Sequence, residues 1–135
     1  MRLSNAEARS LGLGHLIPKT SRKVPRVMNV TERRYAEILT AEYYAGLHQG
    51  WEYEPDTLTL GPRRKYTPDF KVWIDKLKNV YRYHEVKGAH IWPKNLTKLH
   101  WAAQKFATIE FRLCQWKNGE WKIRVVPANE PSEEG

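Results

Sequence analysis

The sequence has a single cysteine and no long apolar run, and each of these features excludes particular kinds of site or segment. Cys114 is the only cysteine among 135 residues, which excludes an internal disulfide and a zinc cluster built from thiolates. No apolar run approaches the roughly 20 residues of a membrane span, and the first residues lack the apolar core of a signal peptide. These absences predict a protein of a reducing compartment with no membrane partner, so a cytoplasmic location is expected.

Acidic residues are also few relative to basic ones. The chain has 23 Lys and Arg against 15 Asp and Glu, which gives a formal net charge of +8. A basic surface attracts polyanions, and nucleic acid is the commonest of them. An ordinary solvated surface can carry the same excess of positive charge. The net charge therefore predicts a polyanionic partner in general and does not by itself predict DNA. A length of 135 residues fits one domain with one core.

Composition divides the chain into a central domain and two tails. Residues 1–27 form a basic arm with six cations and one acid, Glu7. This arm is interpreted either as a disordered tail or as a nucleic-acid-binding segment, with a short helix possible at 5–11. Residues 127–135 are acidic, contain proline and lack core residues, so a mobile tail is expected. The domain itself is predicted to span residues 28–126.

Hydrophobic periodicity within the domain predicts the element order α-β-β-β-α-β-β and hence an α/β (α+β) fold. The first helix is predicted to begin at Asn29 or Thr31, and the second at Pro93. The predicted strands are 51–60, 65–74, 80–87, 109–116 and 120–126. The dipeptide Asn118-Gly119 between the last two strands is a strong signal for a two-residue hairpin turn.

Three polar residues in two neighbouring strands are the candidates for chemistry. Asp69 follows a proline in one predicted strand, and Glu85 and Lys87 lie two residues apart in the next, which puts them on one face. Consecutive strands joined by a short turn are usually antiparallel neighbours, so Asp69 is expected beside Glu85. Taken singly, each residue is more often a solvated strand residue or half of a surface ion pair.

This arrangement suits the metal-assisted hydrolysis of a phosphodiester. Mg²⁺ or Mn²⁺ prefers oxygen ligands, which the Asp69 and Glu85 carboxylates would supply, with the Val86 carbonyl as a third ligand. Such an ion would acidify water and neutralise the charge that builds on the phosphate. Lys87 would orient the attacking water or stabilise the pentavalent phosphate. The residues predicted to be catalytic are therefore Asp69, Glu85 and Lys87.

Thr67-Pro68-Asp69-Phe70 followed by Glu85-Val86-Lys87-Gly88 resembles the core motif of the PD-(D/E)xK nuclease superfamily. More closely, residues 31–36, 66–70 and 84–88 resemble a family of short, uncharacterised phage and prophage nuclease-like proteins. The resemblance implies a restriction-endonuclease-like α-β-β-β-α-β core with a mixed sheet flanked by helices. It also implies a divalent-metal-dependent endodeoxyribonuclease, structure-specific like a phage Holliday-junction resolvase, in the host cell cytoplasm. Duplex or branched DNA would be its substrate, and a homodimer would make paired incisions.

The resemblance adds candidates around the same site. Glu32, at the start of the first helix, would be a fourth catalytic carboxylate, although it would also complete a capping box with Asn29. Lys98 on the second helix is the candidate contact to phosphate, and a solvated helix face explains it equally well. A basic run ahead of the Pro-Asp motif is expected to hold the DNA backbone, with a surface turn as the alternative. That run comprises Arg63, Arg64 and Lys65.

Two other functions fit the same sequence. One is a non-catalytic nucleic-acid-binding protein that kept the nuclease fold, and the other is an adaptor in phage assembly whose basic arm holds an acidic partner. The first would be expected to have lost the polar residues of the motif, whereas Asp69, Glu85 and Lys87 are all present. Trp116 and Trp121 on the hairpin are candidates either for a dimer interface or for capping the core.

Overall fold

The structure is a computed structural model that describes residues 26–128 and the backbone of residues 20–22. The helical elements are α1 (Val30–Tyr44), a 3-10 turn (Pro93–Leu96) and α2 (Thr97–Lys105). The strands are β1 (Thr20–Arg22), β2 (Trp51–Tyr53), β3 (Asp56–Gly61), β4 (Arg64–Tyr66), β5 (Phe70–Asp75), β6 (Val80–Lys87), β7 (Glu110–Lys117) and β8 (Glu120–Val126). In this part of the chain, no helix has the length and apolar character needed to cross a membrane.

A five-stranded mixed sheet forms the centre of the fold, in the order β2-β5-β6-β7-β8. Neighbouring strands are antiparallel except β6 and β7, which run parallel with Glu85 opposite Leu113. A parallel pair needs a crossover connection, and the 3-10 turn together with α2 supplies it. The prediction of a mixed α+β fold with two helices and a mixed sheet is therefore confirmed.

A second sheet, three-stranded and antiparallel in the order β1-β3-β4, explains two errors in the predicted strands. The predicted strand 51–60 is broken at Glu54, whose φ of +47° turns the chain out of the main sheet just before Pro55. The predicted strand 65–74 is broken at residues 67–69, where the chain returns to the main sheet. Each break contains a proline, which has no N–H to donate to a sheet ladder.

The two faces of the main sheet are covered by different elements. On one face α1 packs against β5, β6 and β7, and the core there consists of Tyr35, Ala36, Leu39, Phe70, Val72, Val86 and Cys114. On the other face α2 and the small sheet cover β6 and β7, around Leu58, Tyr83, Leu99, Phe106 and Phe111. Because successive strand residues point to opposite faces, Glu85 lies on the α2 side with Tyr83, and Val86 lies on the α1 side.

The boundaries predicted for the tails and the domain meet the described residues only in part. The possible helix at 5–11 and residues 129–135 of the acidic tail lie outside the part of the chain that the structure describes. Within the predicted arm, the backbone of Thr20–Arg22 pairs with β3, in register with Asp56–Leu58. The last part of the arm is therefore joined to the domain by a strand.

Candidate active site

An open cleft of about 600 Å³ lies where α1 begins, β6 ends and the 3-10 turn leads into α2. Six of the nine residues proposed from the sequence for catalysis, metal binding or nucleic-acid binding line this space, here called the acidic cleft. They are Glu32, Asp69, Glu85, Val86, Lys87 and Lys98. The elements that carry them are distant in the sequence, so the fold itself brings these side chains together.

Asp69 is held in the acidic cleft by the main chain of β6. The side chain is buried, and its Oδ2 accepts a hydrogen bond of 2.8 Å from the Val86 N–H. Asp69 lies in the bend that precedes β5, outside any strand. The bend at Pro68 and the Val86 N–H position the carboxyl. Since Phe70 pairs with His84, the expected neighbourhood of Asp69 and Glu85 is nevertheless present.

Burial makes weak acids of both carboxyls at the centre of the acidic cleft. The pKa of Asp69 is raised to about 9, first by burial and then by the Glu85 charge and the nearby Glu32, against the opposing Val86 N–H. Burial also raises the pKa of Glu85, although Lys87 and Tyr66 act in the opposite direction. Ionising both of two adjacent buried carboxyls costs much free energy unless positive charge is added nearby.

Glu85 is fixed by two partners on the α2 side of the sheet. Its Oε1 accepts a hydrogen bond of 2.7 Å from the Tyr66 hydroxyl, and its Oε2 lies 3.4 Å from the Lys87 Nζ. Tyr66 is buried, and burial holds its pKa well above the ordinary value, so the hydroxyl remains a donor. Sequence reasoning predicted the Glu85–Lys87 proximity but missed Tyr66, because nothing local to residue 66 indicates a partner 19 positions away.

Glu32 caps α1 and also lines the acidic cleft. It completes the capping box of α1: Asn29 Oδ1 accepts from the Glu32 N–H at 2.8 Å, and Glu32 Oε1 accepts from the Asn29 N–H at 2.9 Å. The same Oε1 accepts from the Tyr53 hydroxyl at 2.9 Å. The buried carboxyl also lines the acidic cleft. Capping does not remove Glu32 from the site, and its catalytic role stays a prediction.

An ion pair between the exposed Arg26 and the buried Glu54 lies at the edge of the acidic cleft. Glu54 accepts three hydrogen bonds from Arg26, at 3.1 Å from the main-chain N–H and at 3.0 and 2.8 Å from the guanidinium. The guanidinium also lies 3.5 Å from Glu32 Oε2. Sequence reasoning missed both residues as part of the site, and the one local signal was Glu54-Pro55, where a strand pattern meets a proline.

The donor set of the acidic cleft fits a hard divalent cation. Asp69 and Glu85 present carboxylate oxygens, and an added double positive charge would stabilise the ionised form of both. Among the described residues, no three His, Cys, Asp or Glu side chains are arranged as a metal-binding group. Magnesium commonly takes one or two protein carboxylates and completes its shell with water and phosphate oxygens. Val86 as a carbonyl ligand stays a prediction.

The basic residues predicted to contact nucleic acid fall into two places. Lys98 is exposed and lines the acidic cleft together with Lys94 on the 3-10 turn. The run Arg63, Arg64 and Lys65 is exposed in the turn between β3 and β4 and at the start of β4, outside the wall of the cleft. These three residues therefore do not line the cleft, unlike Lys98.

A buried polar group on the α1 side of the sheet is separate from the acidic cleft. His84 Nε2 accepts from the Arg82 Nε at 3.0 Å, and its Nδ1 lies 2.6 Å from the Tyr35 hydroxyl and 3.8 Å from Cys114 Sγ. Burial holds the pKa of His84 well below its ordinary value and raises the pKa of the Cys114 thiol to about 12. These contacts give His84 a structural role on the α1 side of the sheet.

The hairpin tryptophans cap the core on the same side. Trp121 packs edge-on against Tyr35, with 4.9 Å between ring centroids, and Trp116 lies 5.2 Å from Trp121. The Arg34 guanidinium lies 4.5 Å from the Trp116 ring. Of the two roles left open for these tryptophans, the structure shows the capping one.

Comparisons with known proteins identified no relative of this chain. The chain was compared with protein-family models, with curated proteins and with solved structures, and none of the three comparisons found a match. The interpretation of the acidic cleft therefore rests on its own residues.

Proposed function

We propose that this chain is a divalent-metal-dependent endodeoxyribonuclease with a restriction-endonuclease-like core and PD-(D/E)xK-type chemistry. The observation that carries the proposal is the meeting of Asp69, Glu85 and Lys87 in one cleft, with both carboxyls buried and their pKa values raised. A purely structural ion pair would not need two adjacent carboxyls for one lysine. A site that binds a doubly charged cation would need both.

Asp69 and Glu85 would hold Mg²⁺ or Mn²⁺, which when bound supplies Lewis-acid activation of water and charge neutralisation on the phosphate. Both carboxyls are oriented before any ligand arrives, Asp69 by the Val86 N–H and Glu85 by the Tyr66 hydroxyl. Such neighbours set the direction of the ligand oxygens and reduce the reorganisation needed on binding. Glu32 borders the same space and is proposed as a further carboxylate of the site.

Lys87 would act on the reacting phosphate. Its Nζ lies 3.4 Å from Glu85, and its side chain is partly exposed at the cleft wall. In the reaction a water oxygen bonds to phosphorus, the phosphorus–oxygen ester bond breaks, and a proton from the water passes through solvent to the leaving oxygen. The Lys87 ammonium would orient the water or offset the negative charge that grows on the phosphoryl oxygens.

The distribution of positive charge favours DNA as the substrate. Lys94 and Lys98 line the acidic cleft, and the run from Arg63 to Lys65 lies beyond it on the same chain of net charge +8. Lysines of this kind hold phosphates and set the register of a strand without reading its bases. We propose that they guide duplex or branched DNA to the carboxylates. A homodimer and a cytoplasmic location, that of the host if the chain is phage-encoded, belong to this proposal.

The test is cleavage of four-way junctions, flaps, linear duplexes and single strands by the purified chain. Each substrate is incubated with Mg²⁺, with Mn²⁺ and with a chelator. We expect strand cleavage with a divalent cation and none in chelator. Asp69→Asn, Glu85→Gln and Lys87→Gln are each expected to lower the cleavage rate by at least about 100-fold, because each removes part of the charge stabilisation at the phosphate.

Matched controls separate catalysis from charge and folding. Glu52→Gln removes an exposed carboxylate that accepts from the Trp73 indole, and Lys78→Gln removes an exposed cation in the turn before β6, outside the acidic cleft. Both controls should retain cleavage within a few-fold of wild type. A wild-type chain that binds these DNAs but cuts none of them with either metal would overturn the nuclease and favour a non-catalytic DNA-binding protein.

A further inference from the structure

A second cleft of about 390 Å³ lies beside the acidic cleft, between the segment 89–93 and strands β7 and β8. It is called the tryptophan cleft because the exposed Trp92 lines it. Pockets that hold small organic ligands usually measure roughly 300–1,000 Å³, so this space is large enough for one planar ring system with its substituents.

Trp92 is an exposed aromatic ring on a fixed backbone. Its side chain is 62% exposed, and its carbonyl accepts a hydrogen bond of 2.8 Å from the Asn95 N–H at the start of the 3-10 turn. The His90 ring lies at 89° to the indole, with 5.9 Å between centroids. A large ring surface left in water beside a cleft is a stacking platform for another flat, apolar surface.

The segment that carries Trp92 is joined to the main sheet. Gln115 of β7 donates a hydrogen bond of 3.0 Å from its Nε2 to the Ala89 carbonyl. Together with the Asn95 contact, this bond fixes the segment at both ends. The tryptophan cleft is therefore built before any ligand arrives.

The two fully charged residues that line the tryptophan cleft are both basic. Lys117 and Arg124, from the two arms of the β7–β8 hairpin, line the space, and none of the described residues that line it is acidic. A ligand that combines a flat ring with a negative charge matches both features. A nucleotide has this combination, and stacking on tryptophan beside cations is the usual means of holding single-stranded nucleic acid.

The tryptophan cleft and the acidic cleft are lined by consecutive parts of one segment. Lys87 and Gly88 line the acidic cleft, and the chain continues directly into Ala89 and Trp92 of the tryptophan cleft. Apart from its two chain neighbours, none of the described residues has an atom within 4 Å of where a Cβ on Gly88 would be, so this side of Gly88 faces open space. A strand bound at the carboxylates would pass Gly88 to reach the indole.

We propose that the tryptophan cleft holds an unpaired DNA nucleotide of the strand bound in the acidic cleft. The base stacks on Trp92, and its phosphate lies near Lys117 and Arg124. This inference rests on the proposed nuclease function and names its substrate class: DNA with a single-stranded stretch next to the cleaved bond, preferred over intact duplex. A base inside a duplex is already stacked on both sides and does not reach the indole.

The test measures binding of a labelled oligothymidylate and of a blunt duplex in chelator, so that it does not depend on cleavage. The variants are Trp92→Ala, Trp92→Tyr and, as matched control, Trp101→Ala on α2, since Trp101 is 38% exposed and lines neither cleft. Trp92→Ala should weaken oligothymidylate binding about tenfold, since stacking on one base is worth roughly 1–3 kcal/mol, and should leave duplex binding within twofold. Trp92→Tyr should restore most of the loss, and the control should bind both DNAs like wild type.

The outcomes separate this inference from the nuclease proposal. Equal binding of oligothymidylate by wild type and Trp92→Ala would overturn the tryptophan cleft as a nucleotide site. So would a wild type that does not bind oligothymidylate, or a Trp92→Ala variant that loses as much affinity for the duplex as for oligothymidylate. If Trp92→Ala shows the selective loss while wild type cuts no DNA, the cleft stands and the nuclease fails. If wild type cuts flaps and Trp92→Ala cuts them equally well, the nuclease stands and the cleft fails.

Discussion

At the scale of single residues, the Asp69 carboxyl is where stability and proposed function oppose each other. Burial raises its pKa to about 9, far above the ordinary 3.8, so the folded chain holds a proton there that the unfolded chain has released. Between about pH 4 and pH 9 the folded state binds more protons than the unfolded state. The free energy of unfolding contributed by this group therefore falls as the pH rises through that window.

Asp69→Asn should accordingly stabilise the metal-free protein at high pH. The amide is neutral and its oxygen can still accept from the Val86 N–H. We expect the variant to be about 2 kcal/mol more stable than wild type at pH 8 in chelator, given about 1.4 kcal/mol per pKa unit and relaxation of the site. The gap should shrink as the pH falls to 5. Thermal unfolding across this range measures it, with Asp75→Asn as the control for loss of an aspartate.

A gap that is absent at pH 8, or that grows toward pH 5, would contradict the raised pKa of Asp69. The proposed function would then lose one of its supports, because other groups of the metal-free protein would already balance the negative charge of the two carboxyls. Added Mn²⁺ should act in the opposite direction to the substitution. It should stabilise wild type and leave Asp69→Asn nearly unchanged, because a ligand that binds only the folded state raises the free energy of unfolding.

The Arg26–Glu54 pair is expected to tie the end of the N-terminal segment to the acidic cleft. Arg26→Gln should lower the free energy of unfolding by about 1–2 kcal/mol, a value reduced because the arginine side chain is 59% exposed. Glu54→Gln should cost a similar amount, and the double variant should cost less than the sum because both changes remove one interaction. Urea unfolding of the four proteins measures this coupling. Strict additivity would show that the contact contributes nothing.

Residues of the motif could be found from the sequence, whereas their partners could not. Asp69, Glu85 and Lys87 follow from strand spacing and from the Pro-Asp and Glu-x-Lys pattern. Tyr66 and Arg26 act through contacts with residues 19 and 28 positions away. No local pattern encodes such contacts, because they depend on how the chain crosses between the two sheets.

At the scale of elements, the strands and turns with strong local signals were predicted correctly, whereas the strand breaks with weak local signals were not. β6 spans Val80–Lys87 as predicted, and Asn118 and Gly119 both have positive φ values, +55° and +75°, as a two-residue hairpin turn requires. The breaks near residues 54 and 68 were missed, because an alternating pattern continues through both. Only the pairing of β3 and β4 with each other, away from the main sheet, shows why the strands end there.

The β7–β8 turn makes a direct test of this local coding. Gly119→Ala should lower the free energy of unfolding by about 1 kcal/mol, because alanine is strained at a φ of +75° although no atom of another residue lies within 4 Å of the added carbon. Gly88→Ala is the matched control: it has the same open surroundings and no positive φ. Equal effects of the two substitutions in urea unfolding would contradict the assignment of the cost to backbone strain.

At the scale of the whole molecule, the positive charge should govern how DNA binding depends on salt. Each phosphate contact contributes a slope of about −0.9 to the logarithm of affinity against the logarithm of salt concentration for duplex DNA. Lys98→Gln should therefore make the slope less negative by about 1, with a similar loss of affinity for all sequences. Lys78→Gln, in the turn before β6 and at the opposite end of that strand from Glu85, should leave the slope unchanged. Fluorescence anisotropy between 50 and 200 mM salt measures both, and equal slopes for all three proteins would contradict the predicted contact.

The fold class was predictable from the whole sequence because helical and strand periodicities alternate clearly along it. The second sheet was not, since β1 and β4 have three residues each and carry little periodic signal. The acidic cleft depends both on the local sequence motif and on the path of the chain through the small sheet. The motif supplies its carboxylates, and the passage of the chain through the small sheet delivers Tyr66, Glu54 and Asp69 to its walls.

Cleavage of DNA by wild type and Asp69→Asn, side by side in Mg²⁺ or Mn²⁺ and in chelator, tests the central claim most directly. The substrate is a labelled flap or four-way junction, and Asp75→Asn is carried as the control. We predict metal-dependent cleavage by wild type and Asp75→Asn, and none by Asp69→Asn although it is folded and binds the same DNA. Equal cleavage by wild type and Asp69→Asn, or no cleavage by wild type with either metal, would contradict the assignment of the acidic cleft as a nuclease site.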